Sequence, residues 1–327
     1  MPLFPIPSHV QFAAMVAVSA LLVGTCVRLV AIRGQAPEIA QSRLRSLKSW
    51  WIVTLVVIAS ALLGRLAMVA VVGMVSCLAL REFVALPLAP AMPLSVTRSM
   101  YGLIVISYVA VAMQWASFFV IAVPLLSIAI PSLVLIVSGQ VDAFLRHIGR
   151  ITFVVMVTTY GIGHIALLVT LPESTNPQSV NPGAVNPGAV NPASGPAGLF
   201  LFLIAVTEIN DIAQAMVGRR FGRRKLTPVS PKKTWEGFGG GMVVTSLIAM
   251  LLGHWLIAMT PLQSFIAGIL MSIAGQIGDL NMSAMKREIG VKDSGNLLPG
   301  QGGILDRIDS LTFTAPLFFY YFQWMTR

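Results

Sequence analysis

Charge is what this chain most lacks. Asp, Glu, Lys and Arg make up 10% of its 327 residues, against about 25% in an ordinary soluble domain. So sparse a set cannot dress a water-facing surface of this size, which excludes a soluble globular protein and makes lipid the solvent for much of the chain. Cysteine is almost absent as well. Cys26 and Cys77 both fall in apolar runs and read as small hydrophobes, so neither a disulfide nor a metal site built on cysteine is expected. Carboxylates are few, 12 against 22 Lys and Arg, and the net charge is +10. The positive charge sits in short clusters between apolar runs. That distribution argues against nucleic acid as a partner and for anionic head groups or phosphates. The first apolar run has no charged leader and no small-residue cleavage site, so it is expected to be retained as a span.

What is present in quantity is apolar: 56% of residues are hydrophobic and the mean hydropathy is +0.82. Runs able to cross a bilayer, about 20 residues each, lie at roughly 10–32, 49–64, 66–80, 99–114, 116–138, 151–171, 197–218, 237–258, 260–280 and 307–325. The expected fold is therefore an all-α, polytopic transmembrane helix bundle of about 9–10 spans, with the bilayer itself as a partner. The pairs 49–64/66–80 and 99–114/116–138 are expected as tight hairpins or kinked helices.

Basic residues orient the spans. Arg33, Arg43, Arg45 and Lys48, then Arg81 and Arg98, then Arg146 and Arg150, then the run from Arg219 to Lys233, then Lys286, Arg287 and Lys292 are each separated by an even number of spans. All are expected on the cytoplasmic side. The segment between the sixth and seventh spans has no Lys or Arg and is expected outside. It carries the tandem repeat Val180-Asn-Pro-Gly-Ala, Val185-Asn-Pro-Gly-Ala, Val190-Asn-Pro-Ala-Ser, whose turn-forming steps read as a low-complexity insertion. Three regions follow: N-terminal spans over 1–150, a span and the extracytoplasmic repeat loop over 151–204, and a catalytic membrane region with two cytoplasmic loops over 205–327.

The acids are unevenly placed. Eight of the 12 lie between Glu208 and Asp309, several at the ends of spans. An ionisable group at bilayer depth costs at least ~2.5–3.5 kcal/mol and normally faces a polar cavity. Glu208 and Asp211 share a helix face; Gln276, Asp279, Ser283 and Lys286 form one polar stripe, and Gly290 is expected to end that helix. Asn210 or Gln276 alone is as well explained by hydrogen bonding between helices. Several convergent carboxylates need a cation, and hard oxygens among Lys and Arg suit Mg²⁺ with phosphates. Ser230-Pro-Lys232-Lys233-Thr234 offers hydroxyls and two ammonium groups as a triphosphate cradle. The loop 283–309 interleaves Lys286, Arg287, Lys292, Asp293, Gly302, Gly303, Asp306, Arg307 and Asp309, with glycines through which amides can approach a phosphate.

That second loop, Ser283-Ala-Met-Lys286-Arg287, then Lys292-Asp293-Ser-Gly, then Leu298-Pro-Gly-Gln301-Gly302-Gly303-Ile-Leu-Asp306-Arg307-Ile-Asp309, closely resembles the signature of the phosphatidate cytidylyltransferases, the CDP-diacylglycerol synthases. Gly218-Arg-Arg-Phe-Gly222, Ser230-Pro-Lys-Lys-Thr-Trp-Glu236-Gly237 and Gln276-Ile-Gly-Asp279-Leu resemble the family's other segments. The resemblance is specific over roughly 205–325; upstream it is little more than apolar spans and Arg81-Glu82-Phe83.

The resemblance implies condensation of CTP with phosphatidic acid, with Mg²⁺ required, in a bacterial inner membrane with the site on the cytoplasmic side, and a homodimer as the family expectation. Under it Asp211, Asp279 and Asp293 hold metal. Ser230, Lys232, Lys233, Ser283, Lys286 and Arg287, with the amides at Gly302 and Gly303 and with Lys292, contact phosphates. Lys292, Asp293, Asp306, Arg307 and Asp309 form the catalytic set, the last three at the lipid-phosphate end. Two departures stand out: Gln301 where the family usually has His, and Ile212-Ala-Gln-Ala where it has Thr/Ser-Gly-Ala-Tyr. Two other readings remain, a CTP-dependent kinase of a polyprenol-type alcohol and a cation- or proton-coupled transporter. The transporter predicts acids in both halves of the chain, whereas here they gather at one end.

Overall fold

The computed structural model describes residues 8–88, 91–171 and 195–326. The repeat of Val180 to Ser194 lies outside these residues. Among them there is no strand beyond two isolated bridges, Lys225 with Thr234 and Leu298 with Gly302, and twelve α-helices carry the chain: α1 Ser8–Ile32, α2 Pro37–Leu63, α3 Arg65–Ala85, α4 Leu94–Ala112, α5 Ala116–Val137, α6 Phe144–Val155, α7 Ile162–Val169, α8 Gly195–Phe221, α9 Trp235–Ile257, α10 Pro261–Ile289, α11 Leu305–Ile308 and α12 Leu311–Met325. A π-helical turn, Met156–Gly161, joins α6 to α7 as one continuous rod. Nine of the described helical segments are long and apolar enough to span a bilayer. The protein is an integral membrane protein with the all-α bundle its composition requires.

The boundaries follow local chemistry. Gly64, at φ +98°, separates α2 from α3 with a conformation that side chains resist. Pro261 opens α10 behind a capping box in which Thr260 and Gln263 satisfy each other's backbone amides, and Gly290 closes it in the left-handed conformation, as the sequence suggests. Pro124 and Pro131 lie inside α5, a placement that membrane helices tolerate. The last expected span is corrected. The stretch from 307 is broken: the short α11 ends at Ile308, and α12 begins only at Leu311 with 15 residues.

Helix α9 packs most extensively, on α8 and on α10, with α12 against α10. Small residues permit it. A methyl group added to Gly241 of α9 would come within 2.8 Å of the Gln214 Cα on α8. Inside this trio the Asn210 Oδ1 accepts from Gln214 Nε2 at 3.1 Å, Thr245 Oγ1 at 3.3 Å and Ser272 Oγ at 2.7 Å, so one side chain ties the three helices together. Asn210 is therefore a helix-bonding residue rather than a site group.

Long-range contacts fix which ends meet. Ser46 on α2 and Glu82 at the end of α3 are each hydrogen bonded to the segment 294–305 after α10. Three of the basic clusters thus lie at one end of the bundle, as an even number of intervening spans demands.

Candidate functional site

The site forms at that end, where the two loops after α8 and α10 meet. The first loop is pinned at its base. Glu236, in the first turn of α9, accepts the amides of Arg223 at 3.0 Å and Arg224 at 3.1 Å, and Thr234 caps the helix by accepting the Gly237 amide at 3.1 Å. This folds Ser230–Thr234 back over the turn of α8 that carries Asp211. A cavity of about 250 Å³ results, lined by Asp211, Ser230, Lys232, Lys233, Gln276 and Asp279 among others. Lys233 pairs with Asp279 at 2.5 Å, both ends partly open to solvent, and Asp279 also accepts from Ser283 Oγ at 3.2 Å, one turn further along α10. The polar stripe of α10 is thus real. Gln276, deepest in it, is buried with no partner among the described residues for either amide atom.

A second cavity of about 240 Å³ lies on the other side of Asp211, lined by Trp50, Glu208, Arg219, Arg307 and Asp309 and by the edge of Asp306. Asp211 and Ala215 belong to the walls of both. Asp211 is held by Ser310 Oγ at 2.8 Å, and Asp309 accepts the amide of Ser310 at 2.7 Å. Asp309 lies within electrostatic reach of both Asp279 and Asp211.

Three residues of the expected set take defined positions in and beside the second loop. The first is Asp293, expected as a metal ligand, which is exposed on the turn after α10 beside Gly302 and lines neither cavity. Asp309 is the carboxylate that stands near Asp211 and Asp279. The second is Lys286, expected on a phosphate, whose Nζ is bound to Asp306 at 2.6 Å. The third is the Gly303 amide, which is not turned outward to a phosphate but donates to Asp306 Oδ2 at 3.0 Å, alongside the amide of Ser294 at 2.8 Å and its hydroxyl at 3.0 Å. Gly302, at φ +86°, makes the tight turn this requires. Burial opposes ionisation of Asp306, but the Lys286 ammonium and the Gly303 and Ser294 amides outweigh it and hold its carboxyl below the usual carboxylate range. Asp306 is thus the organiser of the second loop from within. Lys292 is exposed beside Asp293, and Arg287 reaches the Val229 carbonyl at 3.4 Å, joining the two loops.

Residues that composition and spacing did not single out complete the loop. Glu82 of α3, buried at 5% exposure, accepts the Leu305 amide at 3.0 Å and Ser294 Oγ at 3.4 Å. Methyl groups on Gly295 or Gly303 would strike its carboxylate. On α2, Ser49 Oγ donates to the Pro299 carbonyl at 2.8 Å and Gln301 Nε2 donates to the Ser46 carbonyl at 2.8 Å. The only hint in the sequence was Arg81-Glu82-Phe83.

Among the described residues, no three His, Cys, Asp or Glu side chains enclose a cation by themselves. Mg²⁺ needs no such cage: it keeps several waters and takes one or two carboxylates plus substrate phosphates. Asp211 and Asp279 fit that role. They face one cavity, Asp309 adds negative charge beside them, and Lys233 is the cation paired with Asp279.

Residues 43–325 match the Cytidylyltransferase family. The chain is 39% identical over 253 residues to the uncharacterized protein YnbB of Escherichia coli (strain K12), covering 77% of this chain and 78% of that one. It is 45% identical over 130 residues to a phosphatidate cytidylyltransferase of Synechocystis sp., 38% of this chain and 44% of that one. With the phosphatidate cytidylyltransferase of Bacillus subtilis (strain 168) it shares 45% over 114 residues, 34% of this chain and 42% of that one. Similarity to these two named enzymes thus spans less than half of their length.

Proposed function

The chain belongs to the cytidylyltransferase family, and from that premise we propose that it transfers the cytidylyl group of CTP to phosphatidic acid, giving CDP-diacylglycerol and pyrophosphate. The observation that carries this reading is Asp211, which stands in the wall between two cavities of different chemistry. The first cavity, with Ser230, Lys232 and Lys233, suits the triphosphate of CTP. The second, with Trp50, Arg219 and Arg307, suits a single lipid phosphate beside an aromatic ring.

In the reaction a phosphate oxygen of phosphatidic acid attacks the α-phosphorus of CTP. The bond from that phosphorus to the bridging oxygen breaks, and pyrophosphate leaves with the bonding pair. No general base is required, because the acceptor phosphate is already ionised. Mg²⁺ held by Asp211 and Asp279 supplies neutralisation of the phosphate charge. Lys232 and Lys233 hold the β- and γ-phosphates and stabilise charge on the departing pyrophosphate. Arg219 and Arg307 orient the acceptor phosphate toward Asp211. Asp306, with Lys286, Ser294 and Gly303, fixes the turn that presents Arg307. The basic clusters at this end of the bundle support a cytoplasmic site, where CTP is available.

The test uses the purified full chain with Mg²⁺, phosphatidic acid and CTP labelled on the α-phosphate. Label entering the lipid fraction, and its loss in Asp279→Asn, is the expected result. Label entering only from γ-labelled CTP identifies a lipid kinase instead. No transfer from either, with CTP still bound, overturns the reading.

A further inference from the structure

A third cavity opens at the same end of the bundle, on the opposite side of α10 from Asp279 and Lys286. At about 650 Å³ it is larger than the two catalytic cavities, and it falls within the ~300–1,000 Å³ of typical ligand sites. Its walls come from the end of α3, the first turns of α6 and the end of α10. They are mainly apolar, with Phe83, Leu88, Phe153 and Met285 prominent, and they carry two guanidinium groups, Arg146 and Arg150. These arginines stand four residues apart, on one face of α6. Between them Gly149 leaves a gap: a methyl group built on it would meet nothing within 4 Å. Glu288 is the acidic group on the rim, so the charged side chains of the cavity sum to one positive charge. The proposed reaction uses none of these residues.

We propose that this cavity binds an anionic glycerophospholipid, its phosphate on Arg146 and Arg150 and the start of an acyl chain along Phe83, Leu88, Phe153 and Met285. Paired arginines at the end of a membrane bundle, above an apolar groove, match the phosphate and chains of such a lipid in one piece. A free phosphate ester would use the arginines and leave the groove empty; an uncharged diglyceride would use the groove and bring no charge to the guanidinium groups. A lipid seated here packs on the outer faces of the two helix ends whose inner faces hold the second catalytic loop, Phe83 being next to Glu82 and Met285 next to Lys286.

The test is native mass spectrometry of the full chain in detergent, titrated with phosphatidylglycerol, with diacylglycerol and with glycerol 3-phosphate. Two variants are used: Arg146→Gln with Arg150→Gln, which removes the charge, and Gly149→Leu, which fills the gap with a residue the helix accepts well. CTP binding, expected to be unchanged in both, reports that the fold is intact. Phosphatidylglycerol should be retained by the unaltered chain and bound at least about tenfold more weakly by each variant. Equal retention of phosphatidylglycerol by the variants overturns the proposal. So does retention of diacylglycerol as tight as that of phosphatidylglycerol, or displacement of the lipid by glycerol 3-phosphate at equal concentration. If the variants change the oligomeric state and leave lipid retention alone, the face is a contact between copies and the lipid assignment falls.

Discussion

The carboxylate of Glu82, at the end of α3, accepts the backbone N–H of Leu305 across 223 residues of chain, at 3.0 Å. It anchors the loop after α10 and also holds Ser294, whose hydroxyl donates in turn to Asp306. Glu82 touches neither cavity, so it acts through the loop. Truncation by Glu82→Ala leaves a buried amide without an acceptor, a loss of about 1–3 kcal/mol from loop docking. The expected result is a fall in kcat of tenfold or more with KM for CTP changed less than threefold, because the cavity proposed for CTP is built by α8, α9, α10 and the loop between α8 and α9. Glu82→Gln, which keeps an acceptor oxygen, should recover part of the loss. Equal changes in kcat and KM, or no recovery with Gln, would count against a positioning role.

Asp211 and Asp279 face one cavity from different helices, and Lys233 is paired with the second. Asp279→Asn removes the charge paired with Lys233 and, under the proposed function, the one that would hold Mg²⁺, so transfer should fall on the order of 100-fold or more. Asp211→Asn should raise the Mg²⁺ concentration for half-maximal rate by at least the roughly tenfold that loss of even an outer partner produces. Asp293→Asn, on an exposed turn, should leave that concentration unchanged. Activity measured against Mg²⁺ for the three variants separates Asp211 and Asp279 from Asp293 as the proposed metal ligands.

The spans, the stop at Gly290 and the stripe from Gln276 to Ser283 were legible because each is written in local spacing. Periodicity, a left-handed cap and an i,i+4 pair all act within a few residues. The second loop was legible in its composition but not in its wiring. Lys286 carries a charge that suits a phosphate or a carboxylate equally, and only the fold brings Asp306 to it from 20 residues away. Glycines at 302 and 303 announce close backbone approach, and the groups they approach here are the Asp306 and Glu82 carboxylates. Glu82, Ser46 and Ser49 lie in apolar helices more than 200 residues before their partners, a distance over which no pattern in a single sequence connects them.

Gln301 departs from the family's usual His, and the structure gives the position a mechanical task. Its amide donates to the Ser46 carbonyl, next to Ser49 and Pro299, so it fastens the loop to α2. An imidazole N–H can donate to the same carbonyl. Gln301→His should therefore keep full transfer activity, whereas Gln301→Ala should lower it several-fold and speed hydrogen exchange of the loop amides. A double-mutant cycle with Ser49→Ala should show coupling of about 0.5–1.5 kcal/mol, since the two bonds close one turn on one helix. Loss of activity in Gln301→His as large as in Gln301→Ala would assign the residue a chemical task instead.

Asp306 makes the loop sensitive to acid, and the direction follows from its surroundings. Its carboxyl sits below its ordinary value of 3.8 because the Lys286 ammonium and the Ser294 and Gly303 amides favour the ionised form more than burial disfavours it. A folded-state value below the unfolded one means that the carboxylate stabilises the docked loop fully above about pH 3.8, and that this contribution is lost as the pH falls through the lower folded value. Hydrogen exchange of the Ser294 and Gly303 amides, corrected for intrinsic rates, should therefore stay slow until the pH falls below 3.8 and then accelerate. Lys286→Met removes the main charge that depresses the value, so the acceleration should begin at higher pH. Asp306→Asn should exchange quickly at every pH and show no step. A step of unchanged position in Lys286→Met would mean that the amides alone hold the carboxylate, and that Lys286 is free to serve the substrate after all.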